Sequence, residues 1–431
     1  MRVVDGEDVA DVPELSDEVR VALTDIAGVA REGLLAMSVA VGLRVMAELM
    51  DDEVTAAVGP KHAKLTDRTV VRHGATTGSV VLGGRKVAVR RPRARTTDGR
   101  EVQLDSYAMF TVDDQLEQVV FERMLTGLAT RRHRAAAEPV GAAVEHAASA
   151  TSQSAMSRRF VRRTARELEQ LMARDLGDLD VAALMIDGIS FADHTCVVAL
   201  AVAAGGTKAP VGLWLGDTEN TTVVRSLLAD LVARGLDATG GLLLVIDGAK
   251  ALASAVRRVF GDHALIQRCT VHKRRNVTDH LPKHRRAFID RRLAKAFNDA
   301  DPERGLRAAR AMARQLDTEH PDAAASLREG LEQMFTVRRL GVSDRLARTL
   351  STTNAIESMI SVARDTTHHV KHWRDGMMIK RWCAAGMLNA ERSFRRLKGH
   401  RDMPVLVAAL RRHTQQHNKH NAAVCDTAQI A

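Results

Sequence analysis

Aromatic side chains are scarce in this chain of 431 residues, which has nine Phe, three Trp and one Tyr. Binding single strands by stacking successive bases needs a platform of rings, and so few rings do not build one. Cysteine is equally sparse. Cys196, Cys269, Cys383 and Cys425 lie far apart with no Cys-x-x-Cys pair, which argues against a disulfide framework and against a zinc ribbon. Reduced thiols are expected. No apolar run reaches the roughly 18 to 20 uncharged residues of a spanning helix; the greasiest stretch, Val197 to Ala204, ends at Gly205-Gly206. A basic segment followed by an apolar core, the mark of a secretory signal, is missing from Met1-Arg2-Val3-Val4-Asp5-Gly6-Glu7-Asp8. The expectation is a cytoplasmic protein with no membrane partner.

What is present is ordinary globular composition, 45% hydrophobic and 27% charged, in a length that suits two to four domains. Lysine plus arginine number 63 against 53 acids, and the isoelectric point is near 9.8. That balance points to a polyanionic partner, nucleic acid ahead of a membrane surface.

The charge is unevenly spread. Residues 1–60 carry four basic and thirteen acidic side chains, whereas residues 61–100 carry eleven basic and two acidic. Helical apolar spacing runs through Val19, Leu23, Ile26, Ala30, Leu34, Met37, Val41, Val45 and Leu49, with Ser16 or Asp17 placed to cap it. Such a helix either packs on the chain's own core or joins two copies. Thr69 to Arg72 and Val80 to Arg93 then read as β segments around Gly83-Gly84. They form a basic hairpin carrying Arg85, Lys86, Arg90, Arg91, Arg93 and Arg95, set for phosphate contacts or simply a solvated face. Residues 113–178 read as helical pieces of helix-turn-helix size. The last starts at Ser152 or Ser154 and buries Met156, Phe160, Val161, Ala165, Leu168 and Leu171. If it enters a major groove, its N-terminal residues Ser154, Arg158 and Arg159 lead; otherwise it is a basic linker helix.

After Leu179 the pattern changes to short apolar strands at Ala182–Asp187, Thr195–Ala203, Ala209–Leu215 and Leu242–Asp247, with a helix from Thr222 to Leu236 before the last. Strand, strand, strand, helix, strand is the order of an RNase H-like α/β core. Two of these strands end in Ile-Asp-Gly, at Asp187 and Asp247, sixty residues apart. Carboxylates on neighbouring strands repel, and a divalent cation is the natural neutraliser. Oxygen-only ligands favour Mg²⁺ or Mn²⁺, and a pair of ions suits displacement at a phosphodiester. A third carboxylate is then needed. Glu357 in Ser351-Thr352-Thr353-Asn354-Ala355-Ile356-Glu357-Ser358 falls in the first turns of a helix that Thr352 or Thr353 caps, and Arg364 shares its face to meet a phosphate. Glu219 is the rival auxiliary acid. Residues 361–420 hold thirteen basic and four acidic side chains, with Trp373 and Trp382 among them. This segment either follows a phosphate backbone or uses Trp382, Met387, Leu388 and Phe394 as core.

These motifs, with Val245 to Leu252 and Gln267-Arg268-Cys269-Thr270-Val271-His272-Lys273-Arg274-Arg275-Asn276-Val277, resemble the transposases of bacterial Mutator-type insertion sequences. The resemblance covers most of the chain. It implies a DDE enzyme with an RNase H-like catalytic core containing an all-α insertion, preceded by a mainly helical DNA-binding region with a small β-hairpin. The implied organisation is an acidic helical segment (1–60), the hairpin region (61–112), the helix-turn-helix-like region (113–178), the first part of the core (179–278), the insertion (279–345) and the final core helix with a basic C-terminal region (346–431). The metal-binding triad would be Asp187, Asp247 and Glu357, holding two Mg²⁺ or Mn²⁺ ions. The family's Cys-x-x-His signature falls on Cys269 and His272, read as structural or DNA-positioning beside the basic run Lys273, Arg274, Arg275, since a structural zinc site wants four ligands. The implied partners are double-stranded DNA, as terminal inverted repeats and target DNA, and a second copy of the chain, acting at the bacterial nucleoid. A DNA-binding regulator that has lost catalysis and a different nuclease of the same core are the competing readings.

Overall fold

The computed structural model describes residues 33–61, 68–82, 85–111, 113–138, 140–149, 151–216 and 220–429. The expected start of the acidic helix and the Gly83-Gly84 turn lie outside them. The chain divides into two compact units, Met1–Arg163 and Thr164–Ala431.

In the first unit, strands β1 (Val70–Leu82) and β2 (Arg85–Thr96) pair antiparallel from Leu82↔Arg85 to Val70↔Thr96, with an irregularity between Arg72 and Ala75. The hairpin is therefore longer than the two short segments expected. The helix Leu34–Val58 buries Met46, Met50, Val54 and Val58 against Val80, Val87 and Ala94 of this sheet. Glu53 on the same helix accepts from the Asp105 and Ser106 N–H groups (2.7 and 3.0 Å), satisfying the free donors that open the short helix Asp105–Phe110. Residues 113–178 are not wholly helical. After the helices Asp113–Leu125 and Ala142–Ala147 comes strand β3 (Ala148–Ser149), which pairs with Lys86 and Val87 of β2. Two residues are too short to show a period of two in the sequence.

The helix Gln153–Met172 follows, with Ser152 Oγ accepting from the Ala155 N–H (3.2 Å). Its buried face runs through Met156, Phe160, Thr164, Glu167, Leu168 and Leu171, while Val161 and Ala165 are exposed. The expected face was thus rotated, because a polar threonine and a glutamate occupy inward positions. Phe160 stacks on Phe121 at 6.1 Å between centroids.

The second unit is built on a five-stranded sheet in the order β6-β5-β4-β7-β8. Strands β4 (Val181–Phe191), β5 (His194–Ala203) and β6 (Lys208–Gly216) form an antiparallel meander. Strands β7 (Leu242–Ile246) and β8 (Ala264–Arg268) run parallel to β4, and the sequence reading had not assigned β8 as a strand. Helices cover both faces, so β7, Leu-Leu-Leu-Val-Ile, is buried throughout. Alternation sorts the side chains. Leu184, Ile186, Leu244 and Ile246 face the helices Thr221–Ala233 and Lys250–Phe260. Ala183, Met185, Leu243 and Val245 face the helices Asn354–Thr367 and Gly376–Glu391.

Between β8 and Asn354 lies a helical block with a core of its own, in which Ile289, Leu293, Phe297, Leu306, Met312 and Phe335 pack together. Asp301 caps one of its helices by accepting from the Glu303 and Arg304 N–H groups, and Pro302 holds the first position. Trp382, Met387 and Leu388 are buried and Phe394 packs on the same core, which settles the C-terminal alternatives in favour of core for these four residues. No helix among the described residues is long and apolar enough to cross a membrane.

Gly386 lets the helix Gly376–Glu391 approach the helix that carries Glu357. A Cβ there would lie 2.8 Å from Ala363 Cα and 2.9 Å from Ala363 Cβ. Gly386→Ala is expected to destabilise by about 1 to 3 kcal/mol through overpacking, read as a fall in melting temperature of several degrees. An unchanged melting temperature would show that the two helices separate without cost.

Candidate functional site

Strand register assembles the site. Ile186 pairs with Ile246 and Ile246 with Arg268, so Asp187 on β4 is followed across the sheet by Asp247 and Cys269, the residues just past the ends of β7 and β8, and the Cys269 N–H donates to the Ile246 carbonyl at 2.7 Å. Alternation carries both aspartates toward the sheet face covered by the Glu357 helix. Asp187 is not at a strand end as expected, because β4 continues to Phe191, paired with β5 alone. Each aspartate is held by a backbone donor. The Gly188 N–H bonds Asp187 Oδ1 and the Ala249 N–H bonds Asp247 Oδ1, both at 2.8 Å.

Burial raises the Asp187 carboxyl to about 6; the Gly188 N–H opposes this, Asp247 and Glu357 add to it, and His272 offsets it. The group is a carboxylate short of positive charge.

The third segment arrives from far along the chain. Thr270 donates through its N–H and its Oγ1 to the Ser351 carbonyl (2.9 and 3.1 Å), which brings the turn before Glu357 against the helix Thr270–Asp279. Thr353 precedes the helix Asn354–Thr367, but its side chain makes no cap bond. Its N–H donates to Cys269 Sγ (3.5 Å), and its Oγ1 donates to Glu357 Oε1 and lies 3.3 Å from His272 Nδ1. Nδ1 is 3.7 Å from Glu357 Oε1. The hydrogen bond to Cys269 raises His272 to about 9 against the opposing effect of burial, with Glu357 and Asp247 adding. For Cys269, burial pushes the thiol up, yet bonds from His272 and Thr353 bring it below its ordinary value. His272 is thereby held as an imidazolium at neutral pH, and the Cys269 thiol is more acidic than usual. His272 thus supplies a positive charge among three carboxylates, and the chain His272, Thr353, Glu357 fixes one carboxylate oxygen.

Ligand atoms of Cys269, His272 and Glu357 all lie within 4.8 Å of one another. The neighbourhood therefore offers three candidate metal ligands, where the sequence reading counted two. Thr353 was seen only as a helix cap; the signal that could have found it is its i, i+4 spacing to Glu357. Glu219 lies outside the described residues.

Comparison with known proteins decides the family. The model of the family described as "Transposase, Mutator family" matches residues 17–396. This chain belongs to the Mutator family of transposases. It is 30% identical over 177 residues to the transposase of insertion sequence element ISRM3 from Rhizobium meliloti, covering 41% of this chain and 43% of that one. It is 29% identical over 176 residues to the transposase of IST2 from Acidithiobacillus ferrooxidans, covering 41% and 58%. A longer match, 24% identical over 332 residues, joins it to the transposase of ISRM5 from Rhizobium meliloti, covering 76% and 81%. The chain spans about half the length of the first two relatives.

Among the basic residues of this Mutator-family chain, several turn inward. Arg85 is buried, bonded to Glu145 Oε1 (2.9 Å) and the Glu138 carbonyl (2.7 Å), so it braces the first unit and is not free for a phosphate. Lys273 is buried too, donating to the Ser326 carbonyl at 2.6 Å and lying 3.7 Å from Glu329. Arg91 and Arg93 share Glu101, and Arg274 pairs with Asp290 at 3.1 Å. Lys86 and Arg159 are partly buried, whereas Arg90, Ser154, Arg158, Arg275 and Arg364 are exposed.

Two measurements follow. Asp187 has a folded pKa of about 6, above its unfolded value near 3.9. Its contribution is present below about pH 4 and is lost as pH rises through 6, an effect of about 3 kcal/mol. In EDTA, Asp187→Asn is expected to melt higher than wild type at pH 8 and alike at pH 4. Parallel pH profiles for the two proteins would refute the buried-carboxylate account. His272 acts in a higher window, its contribution lost as pH climbs from about 6.5 through 9. Second, elemental analysis of protein purified without added metal is expected to find no stoichiometric zinc, since three ligands fall short of the four of a structural site. One zinc per chain, lost in Cys269→Ser, would reverse that.

Proposed function

We propose that this chain is a DDE transposase that binds the terminal inverted repeats of its insertion sequence and catalyses metal-dependent strand cleavage and strand transfer. The observation that carries the reading is the parallel pairing of Ile186 with Ile246, each followed directly by an aspartate, Asp187 and Asp247. An RNase H-like core is supported by the strand order, three antiparallel strands followed by two parallel ones, and the helical block between β8 and Asn354 suits an insertion in that core.

The donor set fits Mg²⁺ or Mn²⁺, two ions being expected. Asp187, Asp247 and Glu357 offer oxygen alone, and the raised Asp187 carboxyl is what a buried anion awaiting a cation displays. When bound, such ions activate an attacking oxygen and stabilise a leaving oxygen of the phosphodiester.

The protein's own groups do the rest. The Gly188 and Ala249 N–H groups each anchor one aspartate oxygen and leave the other uncommitted. Thr353 and His272 hold Glu357 Oε1, fixing the carboxylate for a ligand. The Cys269 and His272 pair thereby has a positioning role. No covalent link between enzyme and DNA is called for: hydrolysis frees a 3′-hydroxyl, which attacks a second phosphodiester. Arg364, on the Glu357 helix, and exposed Arg90, Arg158 and Arg275 suit phosphates of double-stranded DNA, both element ends and target. Exposed Val41, Val45 and Leu49 form a stripe on the helix Leu34–Val58 suited to a second copy, as action on two ends requires. The setting is the cytoplasm, at the nucleoid.

Alanine at Asp187, Asp247 or Glu357 is expected to cut cleavage of end DNA by at least about a hundredfold while binding persists. Activity should appear with Mg²⁺ or Mn²⁺, vanish in EDTA and be weak with Ca²⁺, whose coordination is longer and looser. Near wild-type nicking by Glu357→Ala would sink the assignment of the third carboxylate.

A further inference from the structure

Five arginines converge on one concavity of the second unit that the site above does not use. A cavity of about 600 Å³ is lined by Arg257, Arg268, Arg310, Arg314 and Arg328, with Glu332 as the one acid on its wall. Three of these cations are already answered: Arg268 pairs with Glu329, Arg310 with Glu332, and Arg328 with Asp317. Arg257 and Arg314 have no ion pair or side-chain hydrogen bond among the described residues. Arg310 and Arg314 are i, i+4 neighbours on the helix Pro302–Leu316, a like-charge spacing that destabilises a helix unless an anion sits between them. Cations scattered on a convex surface promote solubility. Cations gathered into a hollow raise the local potential and select an anion.

The floor of the hollow is built. Arg268 is buried and locked by Gln333 Oε1 (2.7 Å), Glu329 Oε1 (3.2 Å) and the Gly248 carbonyl (3.0 Å). Gly330, at φ +61°, is where the chain makes room for it: a Cβ there would lie 2.5 Å from Arg268 Cζ. The contact with Gly248 also locates the cavity, because Gly248 directly follows Asp247. An arginine that lines the hollow thus touches the loop of a proposed metal-binding aspartate.

We propose that this cavity is a phosphate-binding site for the DNA strand at the active centre, holding phosphodiesters within a few nucleotides of the scissile one, with Arg257 and Arg314 as their ligands. The volume is in the range of sites that enclose a nucleotide-sized group, and the guanidinium fork matches the phosphate geometry. This rests on the transposase reading and adds to it: the helical block becomes a clamp on the strand, and not only a spacer between Asp247 and Glu357.

The test uses the full chain and end duplexes bearing one uncharged methylphosphonate at successive positions around the cut, with binding measured in Ca²⁺. For wild type, affinity is expected to fall several-fold at one or two positions close to the cut. Arg257→Ala/Arg314→Ala should bind unmodified ends about tenfold less tightly and show a salt slope smaller by about two. It should also be indifferent to methylphosphonates at those positions. Arg257→Lys/Arg314→Lys should recover most of the slope, which a merely misfolded variant would not. A double-alanine variant with the full wild-type methylphosphonate penalty, or an unchanged slope, overturns the proposal. So does a defect confined to free mononucleotides, which would make the cavity a small-ligand site. If wild type cleaves ends and the variants match it, the cavity assignment falls alone. If wild type cleaves no ends, the transposase reading falls, and the salt slopes on generic duplex DNA still decide whether the cavity holds DNA.

Discussion

The parallel pairing of β4, β7 and β8 is the constraint on which the rest depends. A period of two along each strand, combined with Ile186↔Ile246↔Arg268, fixes which residues stand beside one another where the parallel ladder ends. A slip of one residue on β7 would turn Asp247 toward the opposite face and bring Ile246 to the one that carries Glu357. The five consecutive buried apolar residues of β7 secure strand placement by burial on both faces, but their uniform greasiness does not itself specify register. The backbone bond from the Cys269 N–H to the Ile246 carbonyl and the bonding of Gln267 help there. The Gln267 amide donates to the Arg268 and Met334 carbonyls and accepts from the Val337 N–H, tying β8 to the helical block by a buried polar group with its bonds satisfied.

Placing acids at such an edge costs stability, and the fold offsets part of the cost without a metal. Asp187 and Asp247 each take one backbone donor. His272, raised to about 9 chiefly by its hydrogen bond with Cys269, adds a cation. This arrangement gives a cysteine and a histidine three residues apart a positioning use that needs no zinc. Cys269 bonds His272 and accepts from the Thr353 N–H, and Thr353 Oγ1 links His272 to Glu357. Asp187 bears a remaining cost, its carboxyl raised to about 6 chiefly by burial.

The second unit was more legible in the sequence than the first. Strands β4 to β7 announce themselves through runs of branched and aliphatic residues, and two copies of Ile-Asp-Gly mark where to look for acids. Strand β8 escaped because Ala-Leu-Ile-Gln-Arg is only five residues long and ends in two polar side chains, both buried by hydrogen bonds rather than by apolarity. Charge was the weakest guide. Arg85 and Lys273 sit in basic runs that look like phosphate surface, yet both are buried, because a cation with a carbonyl and a carboxylate to meet is a bracing element. Linear sequence shows how many charges there are and not which acids they find. The rotated face of the helix Gln153–Met172 has the same origin, since Thr164 and Glu167 are inward by contact and not by hydropathy.

The distinction between spent and unspent arginines is what gives the second unit its electrostatic direction. Of the cations around the helical block, Arg304 pairs with Asp299, Arg328 with Asp317, Arg310 with Glu332, and Arg339 with both Glu303 and Glu332. Those pairs are largely exposed and each contributes little to stability; their effect is to cancel local charge and hold helices in register. Against that background, Arg257 and Arg314, without an ion pair among the described residues, gather in one hollow near carboxylates that outnumber the His272 charge. A phosphodiester chain carrying its metal ions is the kind of ligand that answers both deficits at once, presenting cations to the acids and anionic oxygens to the arginines. The complementarity lies in the order of the two deficits along the edge from Asp247 through Gly248 to Arg268, a sequence of contacts that the parallel register creates.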